Sequence, residues 1–502
     1  MSKISFTILN ICYKNRKRIE VKLMSFSVLI TSDLHGRLDR FKLLANQMKA
    51  LKADLVIDNG DFLDGSPATF YYKHISNKSH PMIELANGIY DVAVYGNHEF
   101  HDTLQTIQQL HSECRFPWIS CNIGEFAKPY FVKNIRGKKF AVVGATTHFT
   151  PLWDEHGYVK EFKFEDALTA LQFWVDYVKI YEIPDYLIVS YHGGFTEDPA
   201  TGAVFQERNG ENQANEILES ITDIDLLITG HQHLFINERI HNTLTIQPTS
   251  HGNGFFEVQI DLDNRNSQAI FHQLEVNSPT LAYPFEVEQW LDKELTSILG
   301  DYSYKGILTS RLSSHPFIQL MHDMQLKATG AQISVFDLMY RDNGGLRGNI
   351  TNRDLLKNAP HEHKLRVVTL STMEIKQLIE QSAAVFAINR DGEIDFSTNI
   401  FPDTPQPYQY DFWGGISYLI DVREVVGQRV KNMTYKGMPM ESQQYFRVVL
   451  NSYRLTGYDF PILKNRNILY ETTQTVPFLF KDYLLSSLPS VVPSHGNFKV
   501  IH

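Results

Sequence analysis

Short apolar runs, each closing on a polar loop, punctuate the first half of the chain. Phe26–Ile30 leads into Thr31-Ser-Asp-Leu-His-Gly36, and Asp54–Ile57 into Asp58-Asn-Gly-Asp61. Asp91–Tyr95 leads into Gly96-Asn-His-Glu99, Tyr186–Ser190 into Tyr191-His-Gly-Gly194, and Asp225–Thr229 into Gly230-His-Gln-His233. Runs this short, bounded by Gly and Asp, predict buried strands. Their near-continuous apolarity suits a sheet covered on both faces. Helical spacing fills the intervals at Leu38–Leu51, Leu104–Leu110 and Phe164–Tyr181. Asp102-Thr-Leu-Gln105 reads as a capping-box variant with Asp102 as the N-cap. Strands alternating with helices predict a layered α/β domain ending near residue 275. Ligands of such sheets gather outside the carboxyl ends of the strands, where each polar loop falls.

The pattern changes after a junction at 276–284, which holds Pro279 and Pro284. Phe285–Leu299 reads as a linking helix. Beyond 300, strand-like stretches at 332–336, 364–370, 416–422 and 445–450 surround a capping box, Ser371-Thr-Met-Glu374, that opens a helix to about Ile388. The expected organisation is an N-terminal extension over 1–23, the α/β domain over 24–275, a linker over 276–300 and an α+β domain over 301–502. In the extension, the moderately apolar Ile4–Tyr13 precedes Lys14, Arg16, Lys17 and Arg18, the reverse of a secretory signal. The chain therefore reads as cytoplasmic, with a surface or exported fate as the alternative.

Composition narrows the function classes. At 502 residues the chain is long enough for two or three domains of roughly 150 residues. A net charge of −10 argues against coating DNA or an anionic membrane. No apolar run reaches the roughly 18 residues of a membrane span. Three cysteines, Cys12, Cys114 and Cys121, are too few for a disulfide scaffold. Of 20 histidines, fourteen precede residue 275, so metal or acid–base chemistry is expected in the first domain.

The strand-end loops carry Asp33, His35, Asp61, Asn97, His98, His192, His231 and His233. A mixture of carboxylate, imidazole and amide ligands suits Mn, Zn, Fe or Co. In extended segments residues two apart point the same way, so Asp33 with His35, and His231 with His233, can each aim two ligands at one place.

Together Asp33-Leu-His35, Gly60-Asp61, Gly96-Asn-His-Glu99, His192 and Gly230-His-Gln-His233 resemble the calcineurin-like metallophosphoesterases over about residues 26–260. The resemblance implies a layered metallophosphoesterase sandwich and two divalent ions. Asp33, His35, Asp61 and His233 would hold one; Asp61, Asn97, His192 and His231 would hold the other, with Asp61 bridging. His98 would contact the substrate phosphate or leaving group, which makes His98 and Asp61 the expected catalytic residues. Two ions roughly 3.5–4 Å apart polarise a phosphoryl oxygen and lower the pKa of a water for in-line attack on phosphorus. The chain departs from many nucleotidase relatives, which place Asp or Asn two residues after the Glu of this motif. Here that position is His101. Glu99 reads as structural; His148 and His251 sit in loops near strand ends.

In the second half, Asn343-Gly-Gly-Leu-Arg-Gly348 and Asn451-Ser-Tyr-Arg-Leu-Thr-Gly457 resemble segments of the 5′-nucleotidase C-terminal domain. That resemblance implies an α+β substrate-binding domain, with the 285–299 helix as a hinge. Asn343 and Arg347 become candidate substrate contacts, since a guanidinium fork suits phosphate oxygens. Tyr408, Tyr410, Phe412, Trp413, Tyr453 and Tyr458 are candidates for stacking on a base, Tyr408 with Tyr453 as the favoured pair. Pro407-Tyr-Gln-Tyr-Asp411 through Gly415–Asp421 looks like the 2′,3′-cyclic-nucleotide 2′-phosphodiesterase/3′-nucleotidase branch, with 5′-nucleotidases as neighbours. The expected function is hydrolysis of nucleotide phosphate esters, with a nucleotide substrate and neither a stable nucleic-acid nor a membrane partner. A nuclease on the same metal site and a non-catalytic scaffold are the alternatives. The sequence does not set an oligomeric state.

Overall fold

The structure, a computed structural model, describes residues 25–76, 78–206, 208–274, 282–338, 343–397, 409–486 and 496–502. The expected extension over 1–23, Pro279 of the junction, Tyr408 and the Asn343 side chain lie outside those residues.

Two six-stranded sheets build the first half. One runs in the order β12 (Asn266–Gln273), β11 (Gly254–Asp261), β1 (Ser25–Thr31), β2 (Leu55–Asp58), β3 (Val92–Val94), β4 (Trp118–Ile119). The other runs β5 (Tyr130–Ile135), β6 (Lys138–Thr146), β7 (Tyr186–His192), β8 (Leu226–Ile228), β10 (Thr243–Gln247), β9 (Ile236–Ile240). Strands β1 to β4 are parallel neighbours, as are β6, β7, β8 and β10. Side-chain alternation sets the layers. Phe26, Val28 and Ile30 share a core with Phe140, Val142 and Ile188 of the other sheet. Leu29 instead joins Leu38, Phe41 and Leu44 of the helix Leu38–Leu51. Val143 and Val189 join Leu171 and Val175 of the helix Ala167–Tyr181. The result is a sheet-on-sheet sandwich with helices outside.

The expected strands are present with shifted starts, and their aspartates explain the shift. Asp54, Asp91 and Asp225 each stand just before a strand and accept the amide of a neighbouring chain segment: Ser27 N–H at 3.0 Å, Val56 N–H at 2.9 Å and Leu187 N–H at 2.7 Å. Two of the expected helices need correction. Thr103, not Asp102, caps Leu104–Glu113, its hydroxyl accepting the Thr106 amide; the Asp102 carboxylate lies 3.0 Å from Lys73 Nζ. The linking helix spans only Phe285–Leu291. Glu294–Asp301 is a strand antiparallel to Arg347–Thr351, with β-branched Ile298 buried in the second core.

The second half centres on a five-stranded sheet ordered Asp411–Gly414, Ile333–Asp337, Tyr445–Asn451, Lys364–Ser371, Tyr470–Thr475. The capping box at Ser371 and Glu374 is formed, and its helix ends at Ala383. It stops short of Ile388 because Phe386–Ile388 pairs with Ile394–Phe396 as a hairpin.

Among the described residues the halves meet beside the linker, where Lys73 Nζ and His74 also bond the Glu362 carboxylate, and again on the opposite side. Beside the linker, the Phe70 ring packs 5.9 Å from Trp290 and 5.3 Å from Phe478, an apolar contact. On the other side the contact is polar. His363 Nδ1–H donates to Glu155 Oε1 at 2.7 Å, Arg366 donates to the Glu155 carbonyl at 2.7 Å, and the Ser452 and Tyr458 hydroxyls donate to Glu155 and Glu211.

Candidate metal centre

The strand-end residues converge from loops spread along the chain between Asp33 and His233, and Asp61 is their hub. Its Oδ2 lies 3.2 Å from His192 Nε2, 3.8 Å from His35 Nε2 and 3.9 Å from His98 Nε2. Its Oδ1 accepts the His98 amide at 2.9 Å. Asp33 groups with His35 and His233, and with Asp61 and His192, at spacings that suit a shared cation. His35 Nε2 and His233 Nε2 are 2.9 Å apart, and His231 Nδ1 is 2.9 Å from Asn97 Oδ1. The convergence does not come from extended alternation, as the i, i+2 spacing suggests. Asp33, His35, Asp61, His231 and His233 all have φ between 48° and 70°. Such left-handed backbone is costly for residues with a Cβ, and here it turns each loop sharply enough to present its side chain. Close approach does the rest: a Cβ on Gly96 would stand 2.2 Å from Asp61 Oδ1.

Hydrogen bonds fix which ring nitrogens are free. A main-chain carbonyl only accepts, so His192 Nδ1–H donates to Asn59 O at 2.6 Å and His35 Nδ1–H to Asp64 O at 3.0 Å. In the neutral ring the Nε2 of each is the lone-pair nitrogen, and both face the Asp61 carboxylate; burial lowers the His192 pKa, but Asp61 outweighs it and raises it to about 10, so positive charge is demanded between them. His192 Nε2 is fully buried and makes no hydrogen bond. His231 Nε2–H donates to Glu211 Oε1 at 3.1 Å, which leaves its Nδ1 lone pair facing an amide oxygen. Lone pair against lone pair, buried, is repulsive unless positive charge stands between them. Burial lowers His35 to about 4 against the pull of Asp61, and burial also lowers His233. Both are therefore in the neutral form that ligates metals. This donor set fits divalent cations.

His98 is held by a residue the sequence reading missed. Its Nδ1–H donates to Asp64 Oδ2 at 3.0 Å, and His101 Nδ1–H donates to the same oxygen at 2.8 Å. Burial lowers the His98 pKa, but the Asp61 and Asp64 carboxylates outweigh it and raise it to about 9. Asp64 thus fills the place left by His101 in the motif, from another loop; only its position, after the Asp61 turn, hinted at this. Glu99 is structural as expected, accepting the amides of Asp61, Phe62 and Gly96 at 2.7–2.9 Å. His251 stacks on His35 with ring centroids 5.1 Å apart, whereas His148 lies 3.8 Å from Asp166.

The substrate candidates scatter. Arg347 is 77% exposed, and its guanidinium lies 3.7 Å from Asp301. Tyr410, Phe412 and Trp413 are core residues, 0–1% exposed, with no ring face left for a base. Tyr453 is half-buried with its ring 5.9 Å from His363. Tyr458 reaches the first domain instead, its ring 5.7 Å from Trp153. Arg454 of the Asn451 segment is a structural tie: it donates to Asp411 at 2.9 Å and to Asp459 at 2.8 Å.

Residues 26–235 match the calcineurin-like phosphoesterase family, and residues 301–465 match the 5′-nucleotidase C-terminal domain. The chain belongs to the calcineurin-like phosphoesterases that carry this second domain. It is similar to a 2′,3′-cyclic-nucleotide 2′-phosphodiesterase/3′-nucleotidase of Haemophilus influenzae, at 24% identity over 88% of this chain and 79% of the relative. A solved Staphylococcus aureus protein assigned as a 5′-nucleotidase superposes with a TM-score of 0.84 at 28% identity, over 95% of this chain and all of the other. A 5′-nucleotidase precursor structure from Thermus thermophilus shares the fold, with a TM-score of 0.63 at 17% identity over 95% of this chain and all of that one. This metallophosphoesterase is thus a hydrolase of a divalent-metal family. Among its described residues no helix is long and apolar enough to cross a membrane.

Proposed function

We propose that this phosphoesterase hydrolyses nucleotide phosphate esters, 2′,3′-cyclic and 3′ esters or 5′ esters, with two divalent ions of Mn, Zn, Fe or Co. Asp33, His35, Asp61 and His233 would hold one ion; Asp61, Asn97, His192 and His231 would hold the other. The observation that carries the reading is the Asp61 carboxylate, with three imidazole nitrogens within 4 Å of one oxygen. When bound, the ions polarise the phosphoryl group and make a water acidic enough to act as the nucleophile. The chain's own residues do the rest. Asp61 supplies negative charge to both cations. His98, protonated and held by Asp64, presents Nε2–H towards the centre, where it donates to a phosphoryl oxygen or to the departing alkoxide.

A nuclease reading fits less well with a net charge of −10. A scaffold would need none of these ligands. Wild-type protein is expected to hydrolyse p-nitrophenyl phosphate and at least one of a 2′,3′-cyclic, a 3′- and a 5′-nucleotide, with Mn, Zn or Co added back separately. Asp61→Ala is expected to keep the fold, by circular dichroism, and to lose turnover. Full turnover in Asp61→Ala would remove the bridging assignment.

A further inference from the structure

We infer that the second domain takes part in building the metal centre, through Tyr458 and Glu211 as positioning residues for His231. The inference rests on the two-ion reading above. Three observations carry it. Glu211 is buried, and its carboxylate is shared: Oε1 accepts from His231 Nε2–H at 3.1 Å, and Oε2 accepts from the Tyr458 hydroxyl. The main chain beneath it is pinned, because the Glu211 carbonyl accepts from Thr147 Oγ1 at 2.8 Å and from the Tyr191 hydroxyl at 3.1 Å. Aromatic faces repeat the connection, since Trp153 stacks on His231 at 5.1 Å and 27°, and Tyr458 meets Trp153 edge-on at 5.7 Å and 78°.

The physical consequence lies in the tautomer. An imidazole that donates one N–H to a carboxylate offers the other nitrogen as a ligand, in a fixed ring orientation and with greater basicity. Glu211 does this for His231, whose Nδ1 is the nitrogen beside Asn97 Oδ1. Tyr458 keeps the Glu211 carboxylate from rotating away. It comes from the loop after Asn451-Ser-Tyr-Arg454, in the other domain. Docking of the second domain therefore tightens the site for the ion held by His231, and leaves the ion on His35 and His233 untouched.

The test uses the full chain, stripped of metal with a chelator and titrated with Co(II). Bound ions are counted by equilibrium dialysis and followed in the visible spectrum. Wild type is expected to bind two ions. Tyr458→Phe is expected to weaken one of them by about three- to tenfold, and Glu211→Ala by about 10–100-fold, with the other ion unchanged. Glu211→Gln is expected to recover most of that loss, because its amide oxygen still accepts from His231. Unaltered binding of both ions by Tyr458→Phe overturns the inference, including when only the KM for nucleotides changes, which would make Tyr458 a substrate contact. Should Glu211→Ala fail to fold, Tyr458→Phe decides alone, since it removes one hydroxyl. A wild-type protein that binds fewer than two ions overturns the functional reading itself, a result distinct from either variant's behaviour.

Discussion

A histidine proposed to deliver a proton needs its other ring nitrogen held, and for His98 a carboxylate 34 residues away holds it. Asp64 orients His98 and shares its oxygen with His101. Removing the negative charge while keeping the shape isolates that role. Asp64→Asn is expected to lower kcat for a nucleotide by about 10–100-fold, a part of the roughly 10²–10⁴-fold that general acid catalysis supplies, with little change in KM. The loss should be far smaller for p-nitrophenyl phosphate, whose leaving group needs no proton; equal losses on both substrates would assign Asp64 a structural role. The candidate metal loops were legible because each stands at the end of a short apolar run, so position and chemistry coincide. Asp64 was not, because its contact depends on how two loops fold over each other. Three of the aromatic candidates failed for another reason. Tyr410, Phe412 and Trp413 look the same in sequence whether they stack on a base or fill a core, and here they fill the core.

At the scale of elements, side chains that accept main-chain amides decide where helices and strands begin. The helix Leu104–Glu113 shows how a one-residue shift redistributes roles. Thr103 caps it, which frees Asp102 to pair with Lys73, itself 3.2 Å from Glu362 of the second domain. Thr103→Ala is expected to cost about 1 kcal/mol of stability, as loss of an N-cap does, read as a lower urea midpoint. Asp102→Ala should leave the midpoint nearly unchanged, because an ion pair at the surface contributes little. The reverse ranking would restore Asp102 as the cap. Strand existence was readable from apolarity, whereas strand ends were not. Asp54, Asp91 and Asp225 belong by sequence to the runs they precede, yet their carboxylates serve the neighbouring strand. The linker shows the same limit. The apolar positions of Phe285–Leu299 fit a helix, but pairing with Arg347–Thr351 converts their second half into a strand.

For the whole molecule, the two contacts between domains differ in kind, and so should their response to pH. The Phe70, Trp290 and Phe478 rings near the linker carry no charge, although Lys73 and His74 beside them reach Glu362. The opposite contact depends on Glu155 and His363, 2.7 Å apart. Burial raises the Glu155 pKa, but His363 outweighs it and holds the carboxyl at about 2. Burial lowers the His363 pKa, but Glu155 raises it above its ordinary 6.5. Relative to separated domains, a lowered carboxyl pKa favours docking above its ordinary 4.5, and that contribution is lost as pH falls towards about 2. A raised imidazole pKa favours docking fully below 6.5, and that contribution is lost as pH rises through the raised value. The polar contact is therefore tightest between pH 4.5 and 6.5 and loosens on the alkaline side. Energy transfer between dyes on the two domains should report a docked fraction that falls as the pH rises above 6.5, through the raised His363 value. His363→Gln should flatten that slope, since its amide still reaches Glu155 but does not titrate. A slope that persists in His363→Gln would place the titrating group elsewhere.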